Sequence, residues 1–336
     1  MKQGSSFALV LMLLPAIAVG QQNLASTPAN PPAQAVAPSG NPARLTLEEA
    51  IRLSLLHNHA LQAVRTTIQQ SMAEEITANL RPNPALGLDA QFLPIFQPDQ
   101  FSGDYIDQQA QFDAGVSYLF ERGKKRQHRL QAARDITAVT RSQVSDSERQ
   151  LAFNVGQQFV DVLLAESTLA FAQQDLDSFQ KTVDISNERL RVGDMSEGDF
   201  LKIKLQLLQF QSDVAAAKLA KIQSLAALRQ LLGFESVPDD YDVQGSLAYQ
   251  PVHADLPSLK TLAAMNRPDL RAAQQGVAAA ESQLALQKAN GKMDITGTFN
   301  YTHTAGVNTG AFYYNMPLPI FDRNQGEIQR AQYAVT

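Results

Sequence analysis

The spacing of apolar residues switches between two periods along the chain, and the switches occur in the same order twice. Ile51, Leu55, Leu61, Val64, Ile68, Met72 and Ile76 recur at helical spacing. Thr46 and Glu49 before them form a capping box that satisfies the first free backbone N–H groups. This predicts a helix that stops at Arg81-Pro82-Asn83-Pro84, because two prolines in three residues cannot continue the hydrogen-bond ladder. The period then falls to two. Leu86, Leu88, Ala90 and Phe92 alternate with Gly87, Asp89 and Gln91; after a polar loop at 93–109, Phe112, Ala114, Val116, Tyr118 and Phe120 alternate with Asp113, Gly115 and Ser117. A strand hairpin over 84–120 is predicted. One apolar face and one small, polar face suit either a half-buried soluble sheet or a membrane barrel with lipid outside and water inside.

From Lys124 the helical period returns, and it holds for a long way. Leu151, Val155, Gln158, Val162, Ala165, Leu169, Ala172, Leu176, Phe179, Val183, Ser186 and Leu190 follow alternating steps of four and three, a left-handed coiled-coil seam. An uninterrupted helix from Lys124 to Arg191 would reach about 100 Å. Gly193 offers the left-handed conformation that ends such a helix, and Ser196 the hydroxyl that starts the next. The return helix is assigned a seam of Leu201, Leu205, Leu208, Ser212, Ala215, Leu219, Ile222 and Ala226, ending at Leu231-Leu232-Gly233. Residues 124–232 therefore read as a long antiparallel helical hairpin with its tip near Gly193.

A linker at 233–257, rich in Pro and Asp, leads into the same plan again. Leu259 to Leu286 is helical in pattern. A strand hairpin over 293–320 follows, with Ile295, Gly297, Phe299 and Tyr301 in one strand and Phe312, Tyr314, Met316, Leu318 and Ile320 in the other. Each hairpin ends in Phe, an acid and Arg before a helical stretch: Phe120-Glu121-Arg122 lines up with Phe321-Asp322-Arg323. The chain thus reads as an internal two-fold repeat, 44–232 and an incomplete 258–336. By that logic a second helical hairpin of about 100 residues should follow, so a C-terminal truncation is expected.

Composition narrows the function classes. Lys2, the apolar run Phe7 to Val19 and the small residues Ala18-Val19-Gly20 make 1–20 a secretory signal peptide, followed by a Pro/Ala-rich disordered lead-in at 21–43. There is no Cys, which removes disulfides, thiolate metal sites and Cys nucleophiles. The net charge of −5 gives no footprint for nucleic acid. His57 and His59 lie on different helix faces, and His128, His253 and His303 are scattered, so no metal site is assigned. No phosphate loop, nucleophile elbow or zinc-protease motif is present, so neither an enzyme nor a cofactor is expected.

Leu45-Thr-Leu-Glu-Glu-Ala, Leu80-Arg-Pro-Asn-Pro-Ala-Leu, Phe120-Glu-Arg-Gly-Lys-Lys-Arg and Pro317-Leu-Pro-Ile-Phe-Asp-Arg-Asn-Gln-Gly-Glu-Ile give the chain its family likeness. Over residues 45–336 it resembles the TolC-like outer-membrane efflux proteins, most closely the CzcC-like heavy-metal branch. The resemblance implies a mainly α chain with membrane β: long helical hairpins forming an α-barrel, plus four strands per chain given to a trimeric transmembrane β-barrel. It implies a homotrimer in the outer membrane of a Gram-negative bacterium, with loops 93–109 and 303–310 outside and a large periplasmic part. It further implies a periplasmic adaptor that meets the tip at Val192, Gly193 and Asp194, and an inner-membrane RND transporter. The implied function is the outer-membrane duct of a tripartite efflux system, for heavy-metal cations. Drug or type I protein export, a periplasmic adaptor and a structural coiled coil are the competing readings. Phe120, Glu121, Arg122, Phe321, Asp322 and Arg323 would mark where strands leave the membrane and become tunnel helices.

Overall fold

The computed structural model describes residues 44–249, 251 and 255–336. The expected signal peptide and lead-in lie outside the described residues. The elements in order are β1 (Arg44–Leu45), α1 (Leu47–His57), α2 (His59–Asn79), β2 (Ala85–Gln91), α3 (Gly103–Gln108), β3 (Gln111–Phe120), α4 (Lys125–Arg191) and α5 (Glu197–Leu232). They continue with β4 (Asp242–Val243), α6 (Leu256–Asn266), α7 (Pro268–Asn290), β5 (Ile295–Thr304), β6 (Val307–Asn315) and α8 (Gln325–Val335).

α4 organises the rest. Its first half lies between α2 and α7, held by Arg65–Glu148 at 2.6 Å, Ser142 donating to Gln275 at 2.6 Å and Ser282 donating to Asp135 at 2.5 Å. Its second half runs against α5, where the rings of Phe179 and Phe210 meet at 4.7 Å. All twelve residues assigned to the α4 seam are buried or half-buried, with Val155 and Val162 fully enclosed.

The α5 seam is a correction. Leu201, Leu205, Leu208, Ser212, Ala215, Leu219, Ile222 and Ala226 are all exposed. The row facing α4 is Ile203, Leu207, Phe210, Val214, Ala217, Lys221, Ser224 and Leu228. The two rows differ by two positions, about 200° around a helix, so they lie on opposite sides. α5 is therefore apolar on both flanks, and among the described residues only one of them is covered. α4 carries a second outward row as well, with Phe153, Val160, Leu164 and Phe171 exposed.

The main hydrophobic core gathers Leu45, Ala50, Val155, Phe159, Val162, Leu163, Leu228 and Leu232 with Val237, Tyr241 and Val243. The last three correct the view of 233–257 as a plain linker. β4 pairs in parallel with β1, and the Tyr241 hydroxyl donates to the Leu225 carbonyl at 2.5 Å. Burial pushes the Tyr241 phenol up to about 12, against partial relief from Arg229. Lys221 sits in the α4–α5 seam and bridges Asp242 at 2.9 Å and Glu166 at 3.3 Å. Burial opposes its charge, but the two carboxylates outweigh that and hold its pKa above the usual lysine value.

The helix predicted ahead of each strand hairpin is broken in two. Asn58 ends α1 and starts α2: its Oδ1 accepts from Leu61 N at 2.9 Å, and its Nδ2 donates to Leu231 O at 2.9 Å. Arg267, before Pro268, separates α6 from α7. α6 has no buried residue; Leu256, Leu259, Leu262 and Met265 are exposed.

β2, β3, β5 and β6 form one antiparallel sheet in that order. The pairs Leu86–Val116, Val116–Phe299 and Phe299–Phe312 place large apolar side chains on one face. The other face carries Asp89, Asp113, Asn300 and Thr302, with Asn300 donating to Asp113 at 3.0 Å. The apolar face is open: Leu88 is 75% exposed, Phe312 73% and Tyr314 79%. Two strand limits differ from those predicted. β6 stops at Asn315, because Pro317 and Pro319 have no N–H for the ladder. The expected loop at 303–310 shrinks to Ala305-Gly306, both at positive φ, the two-residue turn that suits strand twist.

Candidate functional site

Two regions hold the residues singled out from the sequence, one at each end of α4. At the tip, Gly193 at φ 83 ends the helix. Gly193 N–H donates to Leu190 O at 3.1 Å and Asp194 N–H to Arg189 O at 2.8 Å, the paired bonds of a Schellman motif. The Asp194 carboxylate accepts from Arg189 Nε at 2.9 Å. Ser196 then caps α5 through Asp199 N–H at 3.1 Å. The bonds made by Ser196 and Lys202 hold the Asp199 carboxyl below its ordinary value. The tip is thus a fixed turn, with Val192 69% and Ile185 63% exposed beside it.

At the other end the sheet becomes helix. Glu121 accepts from Arg129 at 2.8 Å, and Arg129 also donates to Ala78 O and Leu80 O. One guanidinium therefore joins the end of α2, the end of β3 and α4. Arg122 N–H donates to Asp294 at 2.9 Å, and Lys125 Nζ meets the same carboxylate at 2.7 Å. Gly123 and Lys124 both have positive φ and turn the chain into α4, whose first turn has no side-chain cap. Phe120 is half exposed.

The second junction is built differently. Asp322 accepts from Asn324 N–H at 2.8 Å within its own loop. Arg323 Nε donates to Pro319 O at 3.1 Å, and Phe321 is 90% exposed. Asn324, at φ 62, donates to Gln287 O at 2.8 Å and so ties the loop to α7. The two junctions do come together: Lys125 and Asp294 share a cleft of about 690 Å³ with Phe321, Asp322 and Arg323. Sequence reading missed Asp294, which both junctions approach; its only signal was an acid directly before a strand. Among the described residues no three His, Asp or Glu side chains converge on a metal position, and no helix is long and apolar enough to cross a membrane.

The family description "outer membrane efflux protein" matches residues 50–234, from α1 to the end of α5. The chain belongs to that family. Among curated relatives it is similar to the cobalt-zinc-cadmium resistance protein CzcC of Cupriavidus metallidurans, at 23% identity over 85% of this chain and 66% of that one. Protein CyaE of Bordetella pertussis is 26% identical over 86% of this chain and 65% of its own length. The chain therefore spans just under two thirds of the relatives it matches. The fold resembles that of the outer membrane channel CmeC of Campylobacter jejuni, with a TM-score of 0.66 at 17% identity, over 86% of this chain and 64% of that one.

Proposed function

We propose that copies of this chain associate, three to a ring, into a passive exit duct of the Gram-negative outer membrane. The observation that carries this reading is the four-stranded sheet. Its aromatic face is bare, its other face is polar, and β2 and β6 leave open edges. Open strand edges are not tolerated in lipid, where each unpaired backbone group costs several kcal/mol. Three copies of four strands close into an even-numbered barrel that removes them. The second apolar rows on α4 and α5 support the same assembly, because a helix in a closed ring needs an apolar flank for each neighbour. We read 44–232 and 258–336 as two copies of one plan; the matching helix breaks, hairpins and left-handed junction residues support this.

In this reading loop 93–109 lies outside the cell and the Gly193 turn points across the periplasm. Val192, Gly193 and Asp194 meet a periplasmic adaptor, which links the duct to an energised RND-type transporter of the inner membrane. Heavy-metal cations are the proposed cargo, supported by the similarity to a cobalt-zinc-cadmium resistance protein. Membrane fractionation with cross-linking tests the duct, and a soluble periplasmic monomer would defeat it. A deletion strain challenged with zinc, cobalt, cadmium and common drugs tests the cargo. Unchanged metal tolerance would remove the metal assignment.

A further inference from the structure

A second cleft, of about 380 Å³, opens where β3 extends past the last residue of its pairing with β2. Arg81 and Pro82 form one wall, Tyr118 to Glu121 the floor, and the first turn of α4 the other wall. Four cations line it, Arg81, Lys124, Lys125 and Arg126, against one carboxylate, Glu121. Lys125 is engaged by Asp294 and Glu121 by Arg129. Arg81, Lys124 and Arg126 have no carboxylate partner among the described residues, so the cleft carries three uncompensated positive charges. Beside them the Tyr118 and Phe120 rings touch edge to face at 4.9 Å and belong to the open apolar face of the sheet. The aligned position in the second junction inverts one of these charges: Glu327 stands where the first has Arg126, and it is bonded to Arg330.

We infer that this cleft binds the phosphate-bearing headgroup of an anionic phospholipid, with an acyl chain lying against Tyr118 and Phe120. The inference rests on the bilayer placement of the sheet proposed above. Charge complementarity selects the anionic end of the ligand, and the adjoining apolar strand face selects the hydrocarbon end. The cleft lies at the helical foot of the sheet, where a bilayer leaflet meets water in that placement. Each cation near such a surface adds about a fivefold preference for anionic lipid, so three yield about 100-fold at most.

The test titrates the purified full chain, in neutral detergent, with short-chain phosphatidylglycerol, short-chain phosphatidylcholine and inorganic phosphate by calorimetry. The expected result is phosphatidylglycerol binding at least about tenfold tighter than phosphatidylcholine, falling to about twofold in R81Q/K124Q/R126Q. K124Q alone, which keeps the rest of the cleft, should lose about fivefold. Removing the same charge elsewhere, in K181Q/K218Q/K260Q, should leave the preference intact. Equal binding of both lipids by the unaltered chain overturns the proposal, as does a preference that survives the triple change in a chain of unaltered circular dichroism. Displacement of phosphatidylglycerol by equimolar phosphate would assign the site to the free anion instead. Fractionation of the unaltered chain separates the two readings: recovery in the outer membrane without lipid preference defeats only this inference, whereas recovery in the soluble fraction defeats the duct.

Discussion

The outward row of α5 can be turned against the proposed assembly without touching the fold of the single chain. Leu205 is 69% exposed and Leu219 55%, on the flank opposite the α4 seam. Full burial of a leucine side chain is worth about 1.5–3 kcal/mol, so covering these two contributes about 1–2 kcal/mol each at an interface. Replacing both by Glu removes that gain and places two carboxylates in a contact with little water. Counting only about 1 kcal/mol per carboxylate that stays partly hydrated, each interface loses about 4 kcal/mol, a factor of about 1,000 in association. L205E/L219E should therefore abolish the proposed trimer in detergent, measured by light scattering on a sizing column and by cross-linking. L205A/L219A should only weaken it. Because both positions are solvent-facing in the single chain, its unfolding free energy should change by less than about 0.5 kcal/mol. L228A, in the fully enclosed core, should cost about 2–5 kcal/mol as a contrast. Trimers that persist in L205E/L219E would refute the reasoning. So would destabilisation matching that of L228A, since the row would then be core.

At the junction, D294A leaves the Lys125 ammonium and the Arg122 N–H without their acceptor and should cost about 2–4 kcal/mol. K125M/D294A should be less damaging than the two single changes added together, by about 1–3 kcal/mol in a double-mutant cycle; simple additivity would show that the pair is not coupled. Tyr241 should ionise well above the ordinary tyrosine value, and Y241F should remove the component near pH 12 from the tyrosinate absorbance titration. An acid with a raised folded pKa destabilises the fold where only the unfolded chain is deprotonated, so the fold should weaken between pH 10 and 12, and less so in Y241F. G193A meets no atom within 4 Å, so its cost is the left-handed backbone alone, about 1–2 kcal/mol confined to the tip. V192D should leave folding unchanged while reducing pull-down of the proposed adaptor; undiminished capture would remove Val192 from that contact.

How much could be read beforehand depended on whether one element or two set the answer. The α4 seam was legible because its apolar row, spaced by four and three, meets a partner along its whole length. On α5 the same period occurs on two flanks, and periodicity alone does not say which flank meets α4. The break at Asn58 was not legible because half of its cause is the Leu231 carbonyl, 173 residues away. β1 and β4 are two residues long, too short for a period of two to register. The junctions were found as a repeated sequence, yet their bonds differ. Arg330 stands eight residues after Asp322, as Arg129 does after Glu121, but Glu327 lies nearer and takes it. Identical spacing fixed where the candidate residues lie, while one neighbouring charge decided what they bind.

α4 runs for 67 residues without a cap or a proline between the junction and the tip. It is therefore a lever about 100 Å long, on which a pivot of about 5° at the foot displaces the far end by about 9 Å. The bonds made by Arg129 and Asp294 sit beside the fulcrum, where the smallest slack is multiplied most. In the proposed duct, Arg129 and Asp294 at the foot of the sheet therefore bear on where the tip sits, and the proposed adaptor would work against them from the far end of the rod.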